Sequence, residues 1–213
     1  MSNEQINEQI NELSPELSPE LSPEIAKQYT FNDTWSLYFH AKDVNKKYSD
    51  NTTKLNDISN INDLWGTLNN IPIPTEIFSE IKITKKVKST DEIPAALSLF
   101  RFSSYPTWEH PSNCTGFEWS IRKFKDLSTI DDLWQNIILM AVGENCEHSE
   151  VLNGVRIVDC TIDNKIMCRI ELWFNDKIYK DYFEHKIKEI LNIPEYTKLL
   201  YRDHLVLKET SKF

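Results

Sequence analysis

The stretch from residue 154 to 174 constrains the fold more than any other. Two apolar runs, 154–161 and 165–174, are separated by the tight-turn dipeptide Asp163-Asn164. Strands joined that closely run antiparallel, because a parallel pair needs a long crossover. Further strand patterns fall at 35–39, 97–102, 117–124 and 198–206. Helical spacing appears at 61–68, where Asn60 is placed to cap a segment with Ile61, Leu64, Trp65 and Leu68. It appears again at 129–143, opened by a capping-box pattern at Thr129-Ile-Asp-Asp132. A third helix, 176–191, is stopped by Asn192 and Pro194. Residues 43–53 and 105–116 read as loops, and 69–92 as irregular with one short helix. Hairpins outnumber any regular βαβ alternation, so the prediction is an α+β fold, a curved antiparallel β-sheet backed by helices on one face.

The first 26 residues stand apart. N-E-Q-I is repeated, then L-S-P-E occurs three times. Glutamate recurs at helical spacing, but so do Pro15, Pro19 and Pro23, and each proline removes a donor that a helical turn needs. A disordered acidic tail over 1–26 and one folded domain over 27–213 are predicted. Ser14, Ser18 and Ser22 each precede a proline and are candidates for proline-directed phosphorylation.

Six of the 33 acidic residues lie in that tail and none of the 24 Lys and Arg, so the body is close to neutral although the formal net charge is −9. That excludes a broad basic nucleic-acid surface, but not a pocket for one nucleotide. Cysteines 114, 146, 160 and 168 form no C-x-x-C and meet no histidine pair, so free thiols with no metal and no cofactor are predicted. No apolar run reaches membrane-span length, and the polar N-terminus is unlike a presequence. The cytoplasm is the expected location, with the nucleus open.

One loop is far from random: Pro106-Thr-Trp108-Glu109-His-Pro-Ser-Asn113-Cys-Thr-Gly116-Phe-Glu-Trp119. It resembles the P-x-W-E-x-x-x-N-x-x-G-G-x-W signature of the translation initiation factor 4E family, with Phe117 at the second glycine. Thr34-Trp35-Ser-Leu-Tyr38-Phe39, Asn62-Asp63-Leu64-Trp65 and Ile130-Asp-Asp-Leu-Trp134 resemble further family segments in the right order. The resemblance implies about three helices on the convex face of the sheet and a ligand cleft on the concave face. The implied ligand is the 7-methylguanosine cap of mRNA, and the protein is not an enzyme but a binding module.

By that resemblance, Tyr48 and Trp108 sandwich the base and Glu109 reads the guanine edge. The chemistry suits them: N7 methylation makes the ring cationic, and each aromatic face attracts a cation by about 0.5–2 kcal/mol. For the cap phosphates the family uses an arginine and a lysine. The lysine matches Lys165, the arginine position holds Cys160, and Arg156 and Arg169 are the remaining candidates. Trp173 shares the face of Arg169. A family arginine is Glu118 here. The convex surface, carried by Trp65 with Ile61, Leu139 and Gly143, would take a Tyr-x-x-x-x-Leu-hydrophobic helix of a 4G-type scaffold or of a repressor, although Gln135 departs from a family leucine. A monomer is expected. The alternatives are a cap-binding translational repressor and, least favoured, an unrelated small hydrolase using Glu109, His110 or the Glu144/His148 pair.

Overall fold

The computed structural model describes residues 29–78, 93–122, 128–161 and 167–210. The Ser-Pro tail, the Asp163-Asn164 turn and Lys165 lie outside them. Among the described residues seven strands form one curved sheet: β1 (Thr30–Ala41), β2 (Thr52–Asn60), β3 (Pro94–Arg101), β4 (Phe117–Arg122), β5 (Leu152–Asp159), β6 (Cys168–Phe174) and β7 (Leu200–Asp203), in the order β2-β1-β3-β5-β6-β4-β7. Registered pairings are antiparallel: Leu37 opposes Leu99, Val155 opposes Leu172 and Trp119 opposes Leu172.

Side chains alternate across each strand, so the sheet has two distinct faces. Trp35, Leu37 and Phe39 of β1, Leu97 and Leu99 of β3, Val155 and Ile157 of β5, and Ile170 and Leu172 of β6 belong to one large core. Three longer helices cover that face: α2 (Ile61–Leu68), α4 (Ser128–Gly143) and α5 (Lys180–Ile190). They contribute Leu64, Trp134, Ile137, Ile138, Phe183 and Ile187 to the same cluster. Each such side chain contributes about 1.5–3 kcal/mol by leaving water. Trp35, Trp119 and Trp134 are core residues, as their placement on strands and a helix predicts. Single turns α1 (Tyr48–Asn51) and α3 (Pro74–Ile77) and the C-terminal α6 (His204–Thr210) complete the α-helices of the described residues.

The opposite face carries a second, small aromatic cluster: Tyr38, Phe100 and Trp173, with Tyr105 and Trp108 packed against it. Gly154 on β5 makes this cluster possible. A Cβ there would come within 2.4 Å of the Phe100 ring. Phe100 fills that space and meets Trp173 edge-on, centroids 5.3 Å apart.

Three readings need correction. The stretch 43–53, predicted as a loop, contains α1 and the start of β2. β2 went unseen because it lies at the sheet edge and buries Ile58 alone fully, so no period-2 pattern exists to read. The strand predicted over 198–206 ends at Asp203, whose Oδ1 accepts the backbone N–H of Leu205 at 3.0 Å and opens α6. The helix predicted over 176–191 begins as a 3₁₀ turn (Lys177–Tyr179), with Asp176 accepting from the Ile178 N–H.

Candidate functional site

The loop between β3 and β4 is built on Asn113, which is fully buried. Its Nδ2 donates to the carbonyls of Tyr105 and Thr107, at 2.7 and 2.8 Å, and its Oδ1 accepts from Asn153 Nδ2 at 2.8 Å. His204 Nδ1 donates to the Asn113 carbonyl at 2.9 Å. These bonds fix the backbone on either side of Pro106, just ahead of Trp108 and Glu109. Gly116 closes the loop where a Cβ would lie 2.0 Å from the Phe174 carbonyl oxygen. Phe117, in place of the second signature glycine, is buried and stacks on Phe174 at 5.0 Å.

Across from this loop, α1 holds Tyr48. The Tyr48 hydroxyl donates to the Pro106 carbonyl at 2.6 Å, and Thr52 Oγ1 donates to the Tyr48 carbonyl at 2.9 Å. Burial pushes its pKa up to about 12, and the residue as a whole is 40% exposed. Behind it lies His40, ring centroids 5.5 Å apart, held between Thr52 Oγ1 and Ser98 Oγ. Burial, aided by the charge of Arg156, drives the His40 pKa down to about 2, so the ring is neutral.

Between these two walls is a cavity of about 520 Å³ whose lining includes Lys47, Tyr48, Trp108, Glu109, Arg156 and Trp173. Three residues expected at the base site, Tyr48, Trp108 and Glu109, therefore share one cavity, and Arg156 joins them. Arg169 does not line it. Its Nε donates to Glu171 at 2.5 Å. Trp108 lies nearly parallel to Trp173, with centroids 6.3 Å apart and planes inclined by 21°. The Trp108 indole N–H is buried without a partner. Trp173, left open by the sequence, is thus the cavity floor. Its parity with Arg169 on β6 was the available signal.

Beside Trp173, on the same face of the sheet, is a network of buried charge. Glu118, standing where the resemblance expects an arginine, accepts from Arg202 Nε at 2.7 Å. Arg202 Nη2 also donates to Glu171 at 2.9 Å. Burial pushes the Glu171 carboxyl up, but Arg156, Arg169 and Arg202 together outweigh it, and its pKa falls below the ordinary value. No sequence pattern announced Glu171, because its role depends on partners from three strands.

On the helix-covered side, Asn60 Oδ1 accepts from the Asp63 N–H at 2.9 Å and starts α2 as its cap predicts. Leu64 faces the core at 1% exposure and Trp65 faces out at 37%. Ile61 and Leu139 are half-buried and Gly143 is exposed. The Glu144/His148 pair is engaged separately: Glu144 bonds Arg101 at 2.8 Å, and His148 stacks on Tyr179 at 4.1 Å.

A family model described as eukaryotic initiation factor 4E matches residues 30–212. The chain belongs to the eukaryotic initiation factor 4E family. Initiation factor 4E1 of Drosophila melanogaster is 26% identical over 176 residues, covering 81% of this chain and 61% of that protein. Factor 4E-1B of Danio rerio is 24% identical, covering 83% of this chain and 77% of that protein. The chain thus spans about three fifths of the Drosophila relative. In fold it is similar to C. elegans eIF4E-3 solved with the 4E-binding protein Mextli and a cap analog, with a TM-score of 0.68, 21% identity, and coverage of 87% of this chain and 96% of that one. A schistosome eIF4E complexed with m7GpppA and 4E-BP gives 0.66 at 19% identity, covering 87% and 92%. The family's sheet, backed by helices, is the fold predicted above. No helix of the described residues is long and apolar enough to cross a membrane.

Proposed function

We propose that this chain binds the 7-methylguanosine cap of mRNA in the cavity between Tyr48 and Trp108 and brings capped mRNA to translation initiation through a helical partner, acting in the cytoplasm. The observation that carries this reading is the convergence of two aromatic side chains and one free carboxylate on a single nucleotide-sized cavity. A base made cationic by methylation gains from each aromatic face it meets. The Glu109 carboxylate can accept from guanine N1–H and the exocyclic amine together, a pairing that adenine cannot offer. A wrong base leaves that carboxylate unpaired in a partly desolvated site, which is where discrimination arises. Trp173 supports Trp108 from below. Arg156 is the guanidinium on the cavity wall and the candidate for phosphate contact, with Lys165 as the resemblance implies. Relatives solved with cap analogs and 4E-binding proteins support the same assignment.

The partner side rests on Trp65. A large aromatic side chain left 37% exposed, on a short helix whose Leu64 is buried, is the usual anchor for an amphipathic helix. Ile61, Leu139 and Gly143 are the proposed neighbours of that anchor.

Titration of the protein's tryptophan fluorescence with 7-methyl-GTP and with GTP tests the cap reading. Saturable quenching by the methylated nucleotide is expected, with little by GTP. Equal response to both, or none, sinks it.

A further inference from the structure

Glu171 sorts its neighbours into two sets. The side chain is 1% exposed. Oε1 accepts from Arg169 Nε at 2.5 Å and from Arg202 Nη2 at 2.9 Å, both off the cavity. Oε2 accepts from Trp173 Nε1 at 3.0 Å and lies 4.0 Å from Arg156 Nη1, and these two line the cavity. Three guanidinium groups thus share two buried carboxylates, Glu118 and Glu171, which leaves one surplus positive charge beside a cleft proposed to take a cation.

Arg156 is the member of this set that can act on a ligand. Its guanidinium lies 5.7 Å from the Tyr48 ring centroid, where it uses the same π-electrons that a cationic base would use. Its Nε has no hydrogen-bond partner. The anion that attracts it is the Glu171 carboxylate, 4.0 Å from its Nη1. Without that anion Arg156 would be freer to reach a polyanion and would repel a cation more strongly.

We propose that Glu171 is a positioning residue that sets the charge preference of the cleft. By restraining Arg156 and orienting Trp173, it favours the cationic methylated base over the phosphates. This rests on the cap reading and adds to it a prediction of opposite sign for two ligands.

The test compares 7-methylguanosine, which lacks phosphate, with 7-methyl-GTP, on the full chain at several salt concentrations. The variants are Glu171→Gln, Arg156→Gln and the two combined. Glutamine keeps an acceptor for the Trp173 N–H and loses the charge. In E171Q the ratio of triphosphate to nucleoside affinity is expected to rise about tenfold, the size of one unit charge acting through a partly screened interior. The salt dependence of triphosphate binding should steepen by about one counterion. In the Arg156→Gln background the Glu171→Gln shift should shrink to what the lost charge contributes directly, because the rest acts through Arg156. If E171Q alone does not fold, Glu171→Gln/Arg169→Gln removes a cation with the anion and carries the same comparison.

An unchanged ratio in a folded variant overturns the proposal. So does an equal loss for both ligands, which marks a purely structural role, or a shift of undiminished size without Arg156. If the wild type binds neither probe, the cap reading fails and this proposal with it. If it binds both and the ratio stays fixed, only the role of Glu171 is lost.

Discussion

Tyr48 and Pro106 are joined by a 2.6 Å hydrogen bond from hydroxyl to carbonyl, two residues before Trp108. The bond ties α1 to the loop between β3 and β4, so the two aromatic walls of the cavity are held by one contact. Because the hydroxyl pKa is pushed up to about 12, the proton stays in place throughout the neutral range. Tyr48→Phe keeps the ring and loses the tie. A net hydrogen bond contributes about 0.5–1.5 kcal/mol, so cap-analogue affinity should fall roughly two- to tenfold. Tyr48→Ala should lose more, since the stacking face goes too. Fluorescence titration of both variants checks the order; equal losses would show the hydroxyl to be idle.

Glu109→Gln replaces an acceptor-only group with an amide of mixed polarity. Hydrogen bonds to a charged group contribute about 1.5–3 kcal/mol, which corresponds to a loss of roughly ten- to a hundredfold in affinity. The preference for methylated guanosine over a methylated adenosine analogue should collapse with it. Competition binding with the two nucleosides measures this, and retained selectivity would place guanine recognition elsewhere.

Trp65 and Leu64 are adjacent on α2 and should behave oppositely. Leu64→Ala opens a hole in the core and should cost about 2–5 kcal/mol of stability. Trp65→Ala should leave the melting temperature nearly unchanged and weaken a Tyr-x-x-x-x-Leu-hydrophobic peptide by about 2 kcal/mol or more. Thermal melts beside peptide titrations separate the two, and undiminished peptide binding by the Trp65 variant removes that surface from consideration.

His40 predicts a pH dependence of stability. Its folded pKa is about 2 against 6.5 ordinarily, so below pH 6.5 the unfolded chain gains a proton that the folded chain refuses. The stabilisation is therefore fully present above about 6.5 and is lost progressively as pH falls toward 2. At about 1.4 kcal/mol per pH unit, this group alone costs about 2 kcal/mol by pH 5. Urea unfolding at pH 7 and pH 5 should show that loss in the wild type, and His40→Gln should reduce it. A variant with the wild-type slope would assign the loss to other groups.

Much of this arrangement was legible in the residues because the features concerned are local. The signature loop announces itself through its Pro, Asn and Gly, and the structure gives each a reason: Asn113 bonds the carbonyls on both sides of Pro106, and Gly116 lies where no Cβ fits. The hairpin partners β5 and β6 and the capped start of α2 follow from spacing and cap chemistry, whereas Trp108 is set apart from the core tryptophans by the family resemblance. Edge elements and buried charge were not legible. β2 has one fully buried side chain and so no alternation, while Leu205 and Val206 look strand-forming yet stand exposed on α6. The pairing of Glu118 with Arg202 spans 84 residues, and no local pattern encodes it.

Gly154 carries no functional atom and lies outside the cavity lining, yet its bare α-carbon lets Phe100 settle flat against the sheet, edge-on to the Trp173 that floors the cleft. A methyl group added there would press on Phe100, then on Trp173, then on Trp108. Variation at this position would therefore surface as altered ligand recognition, a phenotype that a search confined to ligand-contacting residues would misassign.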